Sequence, residues 1–122
     1  MITCKLGEKK YQVDFVSARV MREIGPAEEM RGRIMQITEN AMKGETSPED
    51  AKVKIGEAMD VLVDWFCILF GRQFTAEEVY DNYPVDSLMH DITVAMLAVQ
   101  NQMTAVLSEF PMKPAAGKAQ TA

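Results

Sequence analysis

Apolar side chains occupy every second position near the start of the chain, on both sides of a short turn. The first run is Ile2, Cys4 and Leu6, and the second, after Gly7-Glu8, is Tyr11, Val13 and Phe15. A period of two is typical of strands with one apolar face, and a glycine-containing turn between two such runs predicts a β-hairpin. Because an isolated hairpin is marginal in water, we expect its apolar face to pack on the rest of the chain.

The pattern then changes to a helical period. Ser17 is a candidate N-cap for a first helix, and Gly25-Pro26 is a natural stop, kink or restart. The next segment carries apolar side chains at steps of four, three and four, which predicts one apolar stripe on a helix that ends at Gly44. The stripe consists of Met30, Ile34, Ile37 and Ala41.

Ser47-Pro48 predicts the start of a further helix, because a hydroxyl cap is followed by proline at the first helical position. This helix carries two neighbouring apolar rows and ends at Gly71. The rows are Ile55, Met59, Leu62, Phe66 and Leu69 or Phe70 in one, and Val61, Trp65 and Ile68 in the other. A stripe this wide indicates either the central helix of the domain or a helix that also serves an interface.

Thr75 and Glu78 form a predicted capping box, with Phe74 before the cap positioned to pack on Val79, so a short helix follows. After a break at 82–84, Asp86 is the predicted cap of a last helix from about 87 to about 109. Its apolar side chains recur at steps of three and four in a continuous seam, which is typical of coiled-coil-like packing. The seam is Met89, Ile92, Met96, Val99, Met103, Val106 and Phe110.

These elements predict an α+β fold that is mostly α, in which an N-terminal β-hairpin packs on a small bundle of four to five helices. The length of 122 residues suits one domain, which we place at 1–110. Residues 111–122 contain two prolines and no bulky apolar side chain after Met112. We therefore expect them to form a flexible C-terminal tail.

The charge of the chain argues against a nucleic-acid partner. Thirteen Lys and Arg against eighteen Asp and Glu give a net charge of −5, and most of the acidic residues lie in the helical second half. A protein that binds phosphate backbones usually carries clustered cations instead. No apolar run is long enough to span a membrane, and the N-terminus lacks the pattern of a secretion signal, so we expect no membrane partner and a cytoplasmic location.

Candidate chemistry is sparse. His90 is the only histidine, so Ser87 or Cys67 could pair with it formally, but no further residue supports a triad. The carboxylate pairs lie at helix starts or at exposed i, i+4 spacing, where capping and solvation explain them. The glycines are scattered, and the two cysteines have no metal-ligand neighbours. We therefore expect no catalytic residue, cofactor or metal, and an interaction protein rather than an enzyme.

Two apolar stripes remain to be explained, one on the helix after Ser47 and one on the last helix. Either they pack on each other as the core, or at least one of them serves self-association or the capture of a partner helix. The ten methionines do not decide between these alternatives, since flexible side chains suit irregular cores and adaptable binding surfaces equally.

Residues 70–81, with the sequence Phe-Gly-Arg-Gln-Phe-Thr-Ala-Glu-Glu-Val-Tyr-Asp, resemble the tail assembly chaperones of long-tailed bacteriophages and related prophages, especially those of Gram-positive hosts. The segments at 6–11, 15–19 and 62–66 agree in order and spacing. The likeness covers about residues 1–110. The chain departs from the family in the abundance of methionine in the last helix and in the Gly25-Pro26 interruption.

The resemblance implies a non-enzymatic protein that acts in the host cell cytoplasm while a tail is built and is absent from the mature virion. Such proteins are thought to coat the helical tape measure protein, to keep it soluble and to bring tail tube subunits to it. Many also exist in a frameshifted long form, and this chain resembles the short one.

Combining the pattern with the resemblance, we expect the seam of the last helix to form the surface for the client or for a homo-oligomer. Trp65 and Ile68 are candidate additions to the seven seam residues. The alternative is a small acidic adaptor or regulator that binds one defined globular protein, either a phage structural protein or a host protein.

Overall fold

A computed structural model describes residues 2–109, which form a two-stranded antiparallel hairpin followed by four α-helices. The elements are β1 Ile2–Leu6, β2 Lys9–Val13, α1 Ala18–Met42, α2 Pro48–Leu69, α3 Ala76–Asn82 and α4 Val85–Ser108. The predicted fold class is confirmed. The predicted flexible tail at 111–122 and the last seam residue, Phe110, lie outside the described residues.

The hairpin has a two-residue turn, because Leu6 pairs with Lys9 in the register of the two strands. Gly7 adopts a φ of +59° at the first turn position, as a type II′ turn requires. On the inner face, Cys4 and Leu6 are buried in the core, as the alternation predicts. The prediction for Phe15 is wrong: β2 ends at Val13, the chain bends towards α1, and Phe15 is 70% exposed.

Helix α1 begins as predicted, with the Ser17 hydroxyl accepting a hydrogen bond from the Val20 backbone N–H at 3.3 Å. It is not interrupted at Gly25-Pro26 but continues to Met42. Proline removes one helical hydrogen bond, yet Ile24 and Ala27 on either side are both buried. The packing of these side chains keeps the segment helical, so α1 replaces the two shorter helices that a stop there would give.

Glycine ends α1 and α2 in the same way. Gly44 has a φ of +78°, and the N–H of Glu45 donates to the Asn40 carbonyl at 2.9 Å. Gly71 has a φ of +66°, and the N–H of Arg72 donates to the Cys67 carbonyl at 2.8 Å. Both are Schellman motifs, in which a left-handed residue lets the chain satisfy the last carbonyls of a helix.

The starts of the later helices agree with the sequence in all but one case. Ser47 caps α2 through the Asp50 N–H at 3.2 Å, and Thr75 and Glu78 form the complete capping box of α3. The predicted cap of α4 is wrong: Pro84 is the N-cap residue, without a side-chain cap, and Asp86 lies within the first turn. Proline fixes the extended conformation that precedes a helix. The Asp86 carboxylate still interacts favourably with the positive end of the helix dipole.

The core lies at one end of the pair formed by α1 and α2. It contains the inner face of the hairpin, the first part of α1, the last part of α2, and residues of α3 and α4. Residues 35–42 of α1 and 48–58 of α2 extend beyond it, and we refer to them as the arm. The buried side chains of the arm are Ile37, Ala51 and Ala58, which are not part of the core cluster.

Because only three side chains of the arm are buried, two of them alanines, its backbone should open more readily than that of the core. We expect amide hydrogens at 35–42 and 50–58 to exchange at least about tenfold faster than those at 62–69. Hydrogen exchange followed by mass spectrometry measures this difference. Equal protection along the whole of α2 would contradict the distinction between arm and core.

Arg72 has a φ of +57°, the only positive φ of a non-glycine residue in the part of the chain that is described. A left-handed backbone costs a residue with a Cβ about 1–2 kcal/mol. After allowing for the greater freedom of glycine in the unfolded chain, Arg72→Gly should raise the free energy of unfolding by about 0.5–1 kcal/mol.

Arg72→Ala is the matched control for chemical denaturation, because it keeps the left-handed backbone and removes the ion pair with Asp64. That pair, with 3.6 Å between Arg72 Nη1 and the Asp64 carboxylate, is exposed on both sides and should contribute less than about 0.5 kcal/mol. If Arg72→Gly lowers stability as much as Arg72→Ala does, backbone strain at this position is refuted.

Candidate interaction surface

Residues 70–74, which belong to the segment that carries the family likeness, pack the hairpin against the helices. Gln73 Nε2 donates to the backbone carbonyl of Gln12 in β2 at 3.0 Å. The rings of Phe74 and Tyr11 meet edge to face, with 4.9 Å between their centroids. Phe70 lies 5.6 Å from Phe74 on the same centroid measure. Residues 70–74 therefore fasten the hairpin to the end of α2.

Trp65 belongs to the core. Its side chain is 2% exposed, and its indole N–H donates to the Val20 carbonyl at 3.2 Å. A buried indole needs such a partner, and this one ties α2 to the first turn of α1. Trp65 is therefore out of reach of a partner in the folded chain, whereas Ile68, predicted with it, is only partly buried.

The structure divides the predicted seam of α4. Ile92, Met96 and Val99 are at most 2% exposed and lie in the core, so they are not available as a surface in this fold. Met89 and Met103 are half-buried at its edge, and Val106 is 39% exposed. For the buried residues, the core alternative that the sequence left open is the one observed.

The division follows from the length of α4. A helix of 24 residues is about 36 Å long, and its buried side chains end at Val99. Residues 100–108 continue the same apolar pattern, but none of their side chains is buried. We refer to them as the projecting end of α4. There Met103 is half-buried, while Val106 and Leu107 are 39% and 54% exposed.

A second exposed face of α4 was not singled out from the sequence. We define the outer face of α4 as Val94, Leu97, Ala98, Asn101 and Ala105, all of which are exposed. The seam predicted from the sequence lies on the opposite side of the helix, and a prediction that considers only the seam therefore does not identify this face. The signal that could have revealed it is the absence of any Asp, Glu, Lys or Arg between residues 92 and 108.

Two carboxylates, one on α2 and one on α4, accept hydrogen bonds from tyrosines. Tyr83 donates its hydroxyl hydrogen to the Asp91 carboxylate, and Tyr80 donates to Asp60. Burial, followed by the hydrogen bond to a carboxylate, raises the pKa of both tyrosines above its usual range. Both hydroxyls therefore remain protonated donors, which connects α2 with α3 and the start of α4 with the residue that follows α3.

Comparison with known protein families gives a match. The model of the phage tail chaperone protein family matches residues 1–110. The chain belongs to this family. No curated protein and no solved structure matches it. The family membership makes the protein a tail assembly chaperone and confirms the resemblance that residues 70–81 carry.

The tail chaperone places the two formal partners of His90 in different surroundings. Cys67 is 1% exposed in the core, whereas Ser87 and His90 are exposed on α4. Within residues 2–109, no group of three or more His, Cys, Asp or Glu side chains has an arrangement that could hold a metal ion. None of the helices described is both long enough and apolar enough to cross a membrane.

The two thiols of the tail chaperone should react slowly with alkylating reagents. Burial and the nearby Asp91 charge raise the pKa of Cys4 from 9.0 to about 12, and burial with Asp64 raises that of Cys67 to about 11. A raised pKa keeps the thiol neutral at pH 8, and the thiolate is the reactive form. Iodoacetamide labelling should therefore be at least about 100-fold slower than for a free cysteine.

Labelling in denaturant, followed by mass spectrometry, provides the control, because both thiols should then react at the rate of free cysteine. Rapid labelling of either residue in the native chain would show that the core is open at that site.

Proposed function

We propose that this tail chaperone coats and solubilises the helical tape measure protein while the tail is assembled, and that it helps to recruit tail tube subunits. Membership of the phage tail chaperone family supports a role on tail proteins. The observation that carries the proposal further is the projecting end of α4, where an apolar pattern continues past the core that covers its first half.

The projecting end suits a client that must be held and later released. Met103, Val106 and Leu107 offer apolar contact without a rigid pocket, and methionine adapts to side chains of different shape. Apolar contact of this kind protects an aggregation-prone helix at a modest affinity per contact. The net negative charge of the chain would keep the resulting complex dispersed.

The same surface could serve a homo-oligomer, with the half-buried side chains of Ile68 and Met89 at its margin. A repeating client such as a long helix would be covered by several copies, and contacts between copies would add to the affinity of each. We expect this assembly to act in the host cytoplasm and to be absent from the mature virion.

The proposal is tested by co-expression with the tape measure protein encoded by the same phage. In the double variant Met103→Asp, Val106→Asp, two apolar contacts are replaced by charges, and each lost contact is worth roughly 1 kcal/mol. The soluble, co-purifying tape measure protein should therefore fall by about tenfold or more. The variant itself should remain folded by circular dichroism, because Val106 is exposed and Met103 is only partly buried at the edge of the core.

Two further variants separate binding from folding. Val53→Asp changes an exposed valine of the arm, 62% exposed, and should leave the tape measure protein soluble. Met96→Asp places a charge in the core and should unfold the chain. If the double variant keeps the tape measure protein soluble as well as the arm variant does, the projecting end is not the client surface.

The co-purified material also tests the other parts of the proposal. Tail tube subunits should bind to the chaperone–tape measure complex more than to the tape measure protein alone. A stable one-to-one complex with a single folded protein, without any effect on the tape measure protein, would instead support the adaptor alternative.

A further inference from the structure

Four of the five residues of the outer face of α4 are apolar, and all five are exposed to water. Val94 is 49% exposed and Leu97 is 55% exposed, and the remaining three members of the face are exposed as well. Their spacing places them in one stripe along the helix, on the side opposite the buried Ile92, Met96 and Val99. Both sides of this helix therefore carry apolar residues, but the core covers only one of them.

The composition of this face differs from that of an ordinary solvent-facing helix. A surface helix usually carries charged side chains opposite its apolar stripe, yet no charge occurs between residues 92 and 108. Loss of charged residues is the compositional mark of the centre of a protein interface. The outer face thus combines exposure with the loss of charge that marks a buried contact.

The charges that α4 itself places at the border of the face are all acidic, while Lys5 of β1 lines a pocket together with Asp91. Asp86 and Asp91 lie near its first turn and Glu109 lies beyond its last, and α4 contains no Lys or Arg. The hydroxyl of Tyr83 holds the Asp91 carboxylate in place. A partner that covered the apolar stripe would bring its own flanking side chains close to these carboxylates, so cations on the partner would be favoured.

The shape of the face suits a helix. Ala98 and Ala105 are small enough to let another backbone approach closely, while Val94 and Leu97 project beside them. A cavity of about 230 Å³ lies alongside, between Ile2 and Thr3 of β1 and the α4 side chains at 94 and 98. A ridge next to a groove is the geometry into which an amphipathic helix packs.

We propose that the outer face of α4 binds an amphipathic α-helix of a partner protein, whose apolar stripe is flanked by lysine or arginine. The identification of that helix as a client segment rests on the proposed function. That the outer face binds such a helix does not depend on the proposed function, because it is inferred from the exposure, the lack of charge and the bordering charges of the face.

Two synthetic helical peptides test the proposal with the full-length chain. They share one apolar stripe and differ in their flanks, which are lysine in one peptide and glutamate in the other. Fluorescence anisotropy should show binding of the lysine peptide at least about tenfold tighter than the glutamate peptide at low salt. The difference should shrink as salt is added, because exposed charges are screened.

Variants locate the site. Val94→Glu with Leu97→Glu should weaken binding of the lysine peptide by about tenfold or more, since charges enter the apolar contact. Val53→Glu, the same kind of change on the arm, should leave the affinity within about twofold. The double variant Met103→Asp, Val106→Asp should also leave it within about twofold, because those residues belong to the seam and not to the outer face.

If the wild-type chain binds the two peptides equally, or binds neither, the proposal is overturned without any need for the variants. A wild-type dimer that the outer-face variant converts to a monomer, without peptide binding, would show that a second copy covers the face and would also overturn it. If the lysine peptide binds as expected while the tape measure protein is unaffected by the chaperone, the proposed function fails and the outer-face assignment stands.

Discussion

The structure depends on the burial of the last part of α2, around which the other elements are arranged. Leu62, Val63, Trp65, Phe66, Cys67, Leu69 and Phe70 are all at most 2% exposed. One side of this segment meets α1, where the Trp65 indole reaches the Val20 carbonyl, and aromatic contacts connect it with Phe74 and Tyr83. Of the two apolar rows predicted from the sequence, Leu62, Phe66 and Trp65 lie in the core of this central helix, whereas Val61 is 38% exposed and Ile68 is only partly buried.

Local signals made much of this fold predictable. Hydroxyl caps, the capping box and the glycines at helix ends act within a few residues, so the sequence indicates them directly. The alternatives left open at Gly25-Pro26 and the wrong cap at Asp86 have one cause, because the outcome at both sites depends on other residues. Burial on either side keeps α1 continuous at the first site, and the rigid extended backbone of Pro84 sets the start of α4 at the second.

The candidate surface was less predictable, for a physical reason. An apolar seam has the same spacing whether it covers the core or a partner, so Ile92 and Val106 cannot be distinguished by periodicity. The distinction depends on how far the other elements extend beside α4. Similarly, the family likeness is carried by residues such as Gln73 and Phe74 that hold the hairpin in place. Such residues indicate the family without marking a client surface.

The distribution of methionine has a chemical consequence. Of the methionines that the structure describes, Met96 is buried, and the others are half-buried or exposed. Oxidation turns a flexible thioether into a polar sulfoxide, and accessible sulfur atoms react first. Oxidative damage to this chain would therefore reach its periphery, including Met35, Met42 and Met103, before its interior. The early lesion would be a loss of apolar surface in a protein that still folds.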